Sequence, residues 1–323
     1  MSLSYEFSIG SVRAKEKDLL NSADVEQLLA YDNLDDFVHY LNDKGYGDGK
    51  DVDSVLKDRS KKMWAYLKSV APDFDIFKPF IIENDAHNFK VILKGIMSGK
   101  KRDDLLVSPC TIDTSFLTEA VEHKRFDKLP EWISSSAKEA YEIITHKSDA
   151  READAVIDRA VMEYMLSLIE EYKSDFLNEY FNTFVFYNNI KTALRSSKTQ
   201  VGADYLKKAL CEVKDFNKES VINATLKGSD ALLELLSKKS EYGCSESVEE
   251  FKASPSLFEK YVDNRLMKLA LESCKRASEG CEPLIGYYLG FEAEKKVIHI
   301  IESGIRTGAD KETIRERLRE IYG

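Results

Sequence analysis

Apolar side chains recur along this chain at steps of three and four, and almost nowhere at steps of two. Ile157, Val161, Met165, Leu168, Tyr172 and Phe176 form one such stripe, with Glu163, Glu170, Glu171, Lys173 and Asp175 mostly on the other faces. That spacing sets an apolar band along one side of a helix and leaves the charges to solvent. Ile285, Leu289, Ala293, Val297 and Ile301 draw a second band of the same kind. Ile314, Leu318 and Ile321 then stripe a closing helix, with Thr307-Gly308-Ala309-Asp310 reading as its capping box. Arg315, Arg317 and Arg319 approach the end of that helix, where cations complement the macrodipole. One run, Ile76 to Ile82, suits strand or helix, and Pro79 inside it weighs against a strand. The pattern predicts an all-α protein.

The helical pattern repeats. Val52-Asp53-Ser54-Val55-Leu56, Ile157-Asp158-Arg159-Ala160-Val161 and Val262-Asp263-Asn264-Arg265-Leu266 share one signature, and their starts differ by 157 − 52 = 105 and 262 − 157 = 105 residues. A second signature follows about 30 residues later, as Asn88-Phe89-Lys90 and again as Asn189-Ile190-Lys191. The third copy, around Glu294 to Ile301, has no Asn but keeps the aliphatic pattern, and Gly95-Ile96-Met97-Ser98-Gly99 returns as Gly304-Ile305-Arg306-Thr307-Gly308. Such self-similarity marks a structural unit used more than once. Three units are expected, at residues 1–107, 108–214 and 215–323, with the closing helices packing against the N-terminal segment. Each first-signature segment is expected to open a long helix, the three related by rotations of about 120°.

Composition supports the helical reading and narrows the function. Gly (15) and Pro (6) are scarce in 323 residues, so few positions break a helix. A net charge of −10 weighs against a dedicated nucleic-acid binder, and the basic runs Lys57–Lys62 and Lys100–Arg102 are each interrupted or followed by acids. The five cysteines are scattered without a Cys-x-x-Cys pair, which suits buried thiols in a reducing cytosol. No apolar run approaches the length of a membrane span. The opening Met1-Ser2-Leu3 reads as an expression leader.

Catalytic signatures are missing. Gly95 to Lys101 comes nearest to a phosphate-binding loop, but it is one residue short, lacks the hydroxyl and follows a helix. The five histidines are far apart and outside any metal-binding pair, so neither metal nor cofactor is expected. Asp53, Asp158 and Asp263 recur with the repeat, and an acid triplicated across units suits a structural hydrogen-bond acceptor better than one active site.

Four segments together resemble the C-subunit family of V/A-type ATPases, whose eukaryotic members are known as the d subunit. They are Val12 to Leu20 with Arg13 and Glu16, the Asp85-x-x-Asn88-x-Lys90 helix, Asn189-x-Lys191, and Glu294 to Leu318 with Gly304, Gly308 and Arg315. Phe186 stands where the family pattern has an acid in the second copy. The resemblance covers essentially the whole chain. It implies three similar helical domains in a pseudo-threefold, funnel-like arrangement and a non-catalytic central-stalk role. The implied partners are the rotor shaft of the soluble ATPase motor and the membrane-embedded ring, and the implied location is the cytoplasmic face of the membrane. Proton or sodium would be the transported ion. With the repeats, the resemblance makes the turns Gly95–Arg102, Ser196–Gly202 and Gly304–Gly308 candidate contacts, Lys100, Lys101 and Arg102 foremost; plain surface turns are the alternative. The competing functions are a helical repeat scaffold, which would leave accessible ends, and an all-α enzyme, which would gather polar groups in one deep pocket.

Overall fold

The computed structural model describes residues 4–199 and 201–323; the Met1-Ser2-Leu3 leader reading and position 200 of the Ser196–Gly202 turn lie outside them. All regular structure among these residues is helical. The chain divides into two compact units, one joining residues 1–75 with 247–323 and the other spanning 76–246.

The first unit opens with α1 (Tyr5–Lys15), α2 (Ser22–Ala30), α3 (Leu34–Asp43) and α4 (Val52–Val70). The second holds α5 (Lys78–Ser98), α6 (Thr114–Glu122), α7 (Glu131–Lys147), α8 (Ala150–Tyr172), α9 (Asp175–Ser197), α10 (Ala203–Ala209), α11 (Lys218–Lys227) and α12 (Ser229–Ser237). After α13 (Cys244–Ala253) the chain is again in the first unit, with α14 (Pro255–Ser273), α15 (Glu282–Thr307) and α16 (Lys311–Arg317). These boundaries fall inside the first and third sequence repeats, because α5 packs on α8.

Each unit is built around one long helix. In the first, α15 touches α1, α2, α3, α4, α14 and α16. Every residue from Pro283 to Phe291 is buried, wider than the one-sided band of the sequence pattern. A helix apolar all round belongs inside a core. In the second unit α8 is the hub, packed against α5, α7, α9 and α10.

The structure corrects several boundaries. Val52 opens α4, but Ile157 and Val262 each lie seven residues past the first residue of α8 and α14. Asp149 and Ser254 cap those two helices, so the signature marks a place on a helix face rather than a start. Phe176 belongs to α9, because the chain turns through Lys173 in the left-handed region. The ambiguous run at Ile76 becomes a 3-10 turn and the first turn of α5, where Pro79 lacks only an N–H that a helix start leaves unused.

The closing helix is shorter than its stripe predicts. Asp310, not Thr307, caps α16 by accepting from the Thr313 N–H at 2.9 Å, while Thr307 still belongs to α15. The helix stops at Arg317 because tertiary partners hold the tail. The Glu320 N–H donates to Asn264 Oδ1 at 2.9 Å, Arg319 Nε to Asp263 Oδ2 at 2.9 Å, and Lys275 Nζ to Tyr322 O at 2.8 Å.

Candidate functional site

The repeated polar residues gather no reactive centre. They fasten backbone. On α5, Asp85 and Asn88 are fully buried and share a face that grips the chain returning from the turn. Asp85 accepts from the N–H groups of Thr111 and Ile112 at 2.8 and 3.0 Å, and from the Thr111 hydroxyl at 2.5 Å. Asn88 accepts from the Val107 N–H at 2.9 Å and donates to the Val107 carbonyl at 3.0 Å. Asn84 and His87 add bonds to the carbonyls of Pro109 and Leu105. Burial raises the Asp85 carboxyl above its ordinary range, and its three hydrogen bonds oppose the shift.

Asn189 on α9 repeats the Asn88 geometry. It accepts from the Cys211 N–H at 2.9 Å and donates to the Cys211 carbonyl at 2.8 Å. Phe186, three residues earlier, is fully buried among aromatic rings in place of the acid. In the third copy the acid survives. Glu294 lies 294 − 85 = 209 residues beyond Asp85, the offset separating Gly304 from Gly95. It accepts from the Leu20 N–H and, at 2.5 Å, from the Tyr46 hydroxyl. Glu294 is not among the residues that sequence patterns single out as a site; the shared offset is the signal that could have found it.

The remaining motif residues are also fasteners. Arg13 donates to Glu16 at 2.6 Å and to the carbonyls of Cys274 and Ala277 at 2.7 and 2.8 Å, closing the C-terminal end of α14. Lys90 pairs with Asp158 at 2.5 Å. Asp263 takes Lys296 and Arg319, whereas Asp53 is an exposed residue in the first turn of α4. Arg315 pairs with Glu26 at 2.5 Å.

Gly99 and Gly308 have φ of 67° and 66°, just past the ends of α5 and α15. In both turns the next N–H reaches back to the earlier glycine carbonyl, Lys100 to Gly95 at 2.9 Å and Ala309 to Gly304 at 3.0 Å. This bond satisfies a carbonyl the helix end leaves open. The first glycine needs its lack of side chain for room: a Cβ on Gly304 would come within 2.3 Å of Ile314. Within the Gly95–Arg102 turn, Lys101 reaches Glu122 at 2.7 Å and Arg102 reaches Asp104 at 2.8 Å, so the chain's own acids face two of the three cations. Met97, Leu105, Val107 and Phe116 are exposed along the same stretch.

A cleft of about 710 Å³ opens in the second unit over α8, flanked by α5, α9 and α10. Ala86, Ala155, Val161, Met162 and Phe184 supply its apolar lining, and Lys191 is among its polar residues. The Lys90–Asp158 and Lys94–Asp154 pairs tie α5 to α8 along it. Arg151 stands over the Tyr205 ring, 4.9 Å from its centroid. No group of three His, Cys, Asp or Glu side chains among the described residues could hold a metal ion. No helix among them is long and apolar enough to cross a membrane.

Known proteins of similar sequence are C subunits of V-type ATPases and A-type ATP synthases. Residues 8–317 match a family model described as ATP synthase (C/AC39) subunit. The C subunit of the V-type sodium ATPase of Enterococcus hirae is 21% identical over 319 residues, 96% of this chain and 97% of that protein. The C subunit of the A-type ATP synthase of Methanocaldococcus jannaschii is 22% identical over 346 residues, 97% of this chain and 86% of that protein.

Proposed function

The chain belongs to the ATP synthase (C/AC39) subunit family, whose members are accessory rather than catalytic parts of V/A-type ATPases, and we propose that it is the central-stalk component joining the rotor shaft to the membrane ring. In this reading it sits peripherally on the cytoplasmic face and transmits rotation during proton or sodium transport. Its three repeats, at residues 1–107, 108–214 and 215–323, form the pseudo-threefold funnel.

The observation that carries the reading is the continuous match to C-subunit relatives over nearly the full chain. The internal joints support it. A torque coupler must not yield at those joints, and here each second-signature helix holds its neighbouring segment through buried carboxyl or amide groups. Buried, satisfied polar groups resist shear because breaking them leaves unpaired donors and acceptors out of reach of water.

The test is reconstitution with and without the chain. Without it, the soluble motor should hydrolyse ATP yet separate from the membrane sector, and ATP-driven ion transport should fall to background. Restoring the chain should restore transport. Full transport by a complex lacking it would remove the central-stalk assignment.

A further inference from the structure

The cleft over α8 contains a feature that a purely mechanical component does not need. Arg151 on α8 and Arg195 on α9 both line it, and neither forms an ion pair with a carboxylate among the described residues. Arg151 stands over the Tyr205 ring of α10, 4.9 Å from its centroid, and Arg195 lines the same cleft as that phenol. That hydroxyl has no hydrogen-bond partner among the described residues and remains a free donor. Elsewhere along the cleft Lys90 holds Asp158 and Lys94 holds Asp154. Thr192 and Thr199 bring further hydroxyls to the same lining.

We propose that this cleft binds a small phosphorylated molecule, its phosphate oxygens taken by Arg151, Arg195 and the Tyr205 hydroxyl. Two bidentate guanidinium forks and a phenol offer about five directed donors, more than the roughly four lone-pair sites of a carboxylate, and match a phosphate or diphosphate. The apolar lining from Ala155 to Phe184 gives room for an organic body attached to the phosphate. A volume of about 710 Å³ lies within the range of small-molecule sites, roughly 300–1,000 Å³. Glu83, Asp154 and Asp158 also line the cleft, and the latter two are each held by a lysine of α5. The site is independent of the central-stalk reading, since all its residues lie within the unit spanning 76–246.

The experiment is calorimetric titration of the full purified chain at low ionic strength, with pyrophosphate and with phenyl phosphate as probes. Pyrophosphate should bind at one saturable site, and phenyl phosphate should bind there competitively if the apolar lining receives the body. The double variant Arg151→Gln/Arg195→Gln should weaken pyrophosphate by about tenfold or more, the loss of two charge-assisted contacts. Both side chains are exposed, so its melting temperature without ligand should stay at the parent value. Tyr205→Phe should fall between the two. Absence of saturable binding, several equivalent weak sites, or unchanged affinity in the double variant would each overturn the proposal.

Discussion

Glu294 holds the joint before α2 to the middle of α15, and it does so with a carboxyl that is 1% exposed. Burial pushes that carboxyl up to about 7, against the opposing pull of the Tyr46 and Leu20 bonds and of Arg59, which stacks 5.1 Å from the Tyr46 ring centroid. Asp24 nearby adds to the rise. Between about pH 4.5 and 7 the folded chain therefore keeps a proton that the unfolded chain has released. Stability from this group is complete below 4.5, declines as pH rises to 7 and is level above, a loss on the order of 3 kcal/mol across the window. The Glu294→Gln substitution keeps a carbonyl for Leu20 and an amide for Tyr46, without the titration. Urea unfolding of the parent and Glu294→Gln from pH 5 to 8 should give a slope that the variant lacks, and equal slopes would refute the assignment. The two amide clamps make a second residue-scale expectation. Asn88→Ala and Asn189→Ala should destabilise by similar amounts, about 1–3 kcal/mol for each backbone group left unpaired at Val107 or Cys211. Denaturant midpoints measure this, and a loss confined to one variant would mean the copies are not equivalent. The sequence already contained Asn88, Asn189 and their spacing. It did not contain Val107 or Cys211 as their partners, because a grip on backbone leaves no side-chain signature at the gripped residue.

Among elements, the paired glycines separate two physical demands. Gly308 needs backbone freedom, so Gly308→Ala should cost about 1–2 kcal/mol from its left-handed φ alone. Gly304 needs space, and Gly304→Val should push Ile314 out of its buried seat, costing about 1–3 kcal/mol. Local hydrogen exchange in α16 distinguishes them: it should rise in Gly304→Val and stay near the parent in Gly308→Ala. Helix type was legible where apolar periodicity is strong, as in α8 and α15, and open at residues 76–82, where a short apolar run suits strand or helix. The ends of helices were legible only where a local signal decided them. Gly99 marks such an end, whereas α16 stops where Asn264, Asp263 and Lys275 capture the tail, contacts no local window contains. The cleft was opaque for the same reason: Arg151, Arg195 and Tyr205 are brought together only by the packing of α8, α9 and α10.

For the whole molecule, the chain path assigns different duties to its parts. The unit spanning 76–246 is inserted between the two stretches that make the other unit, so α15 must recover its partners α1 to α4 after more than half the chain has intervened. Such long-range closure makes the core sensitive and the turns tolerant. Val297 is fully buried on α15, and Val297→Ala should cost about 1–3 kcal/mol through lost packing, read as a lower denaturant midpoint. The Gly95–Arg102 turn is the opposite case. Its Lys101–Glu122 and Arg102–Asp104 pairs are solvent-exposed and screened, so reversing Lys100, Lys101 and Arg102 to glutamate should leave the melting temperature close to the parent. If this turn meets the shaft or the ring, as the central-stalk reading proposes, the triple reversal places three acids beside Asp103 and Asp104 at that contact. Repulsion or lost attraction there should raise ATP hydrolysis per ion transported, while hydrolysis itself continues. The decisive measurement is ATP-driven ion transport against hydrolysis rate in reconstituted complexes, taken at two salt concentrations. A contact made by charge should show its defect most clearly at low salt, where screening is weakest. Unchanged coupling at both concentrations would assign Lys100, Lys101 and Arg102 to bare surface and move the search for the contact to Gly304–Gly308 and to the exposed apolar side chains Met97, Leu105 and Phe116.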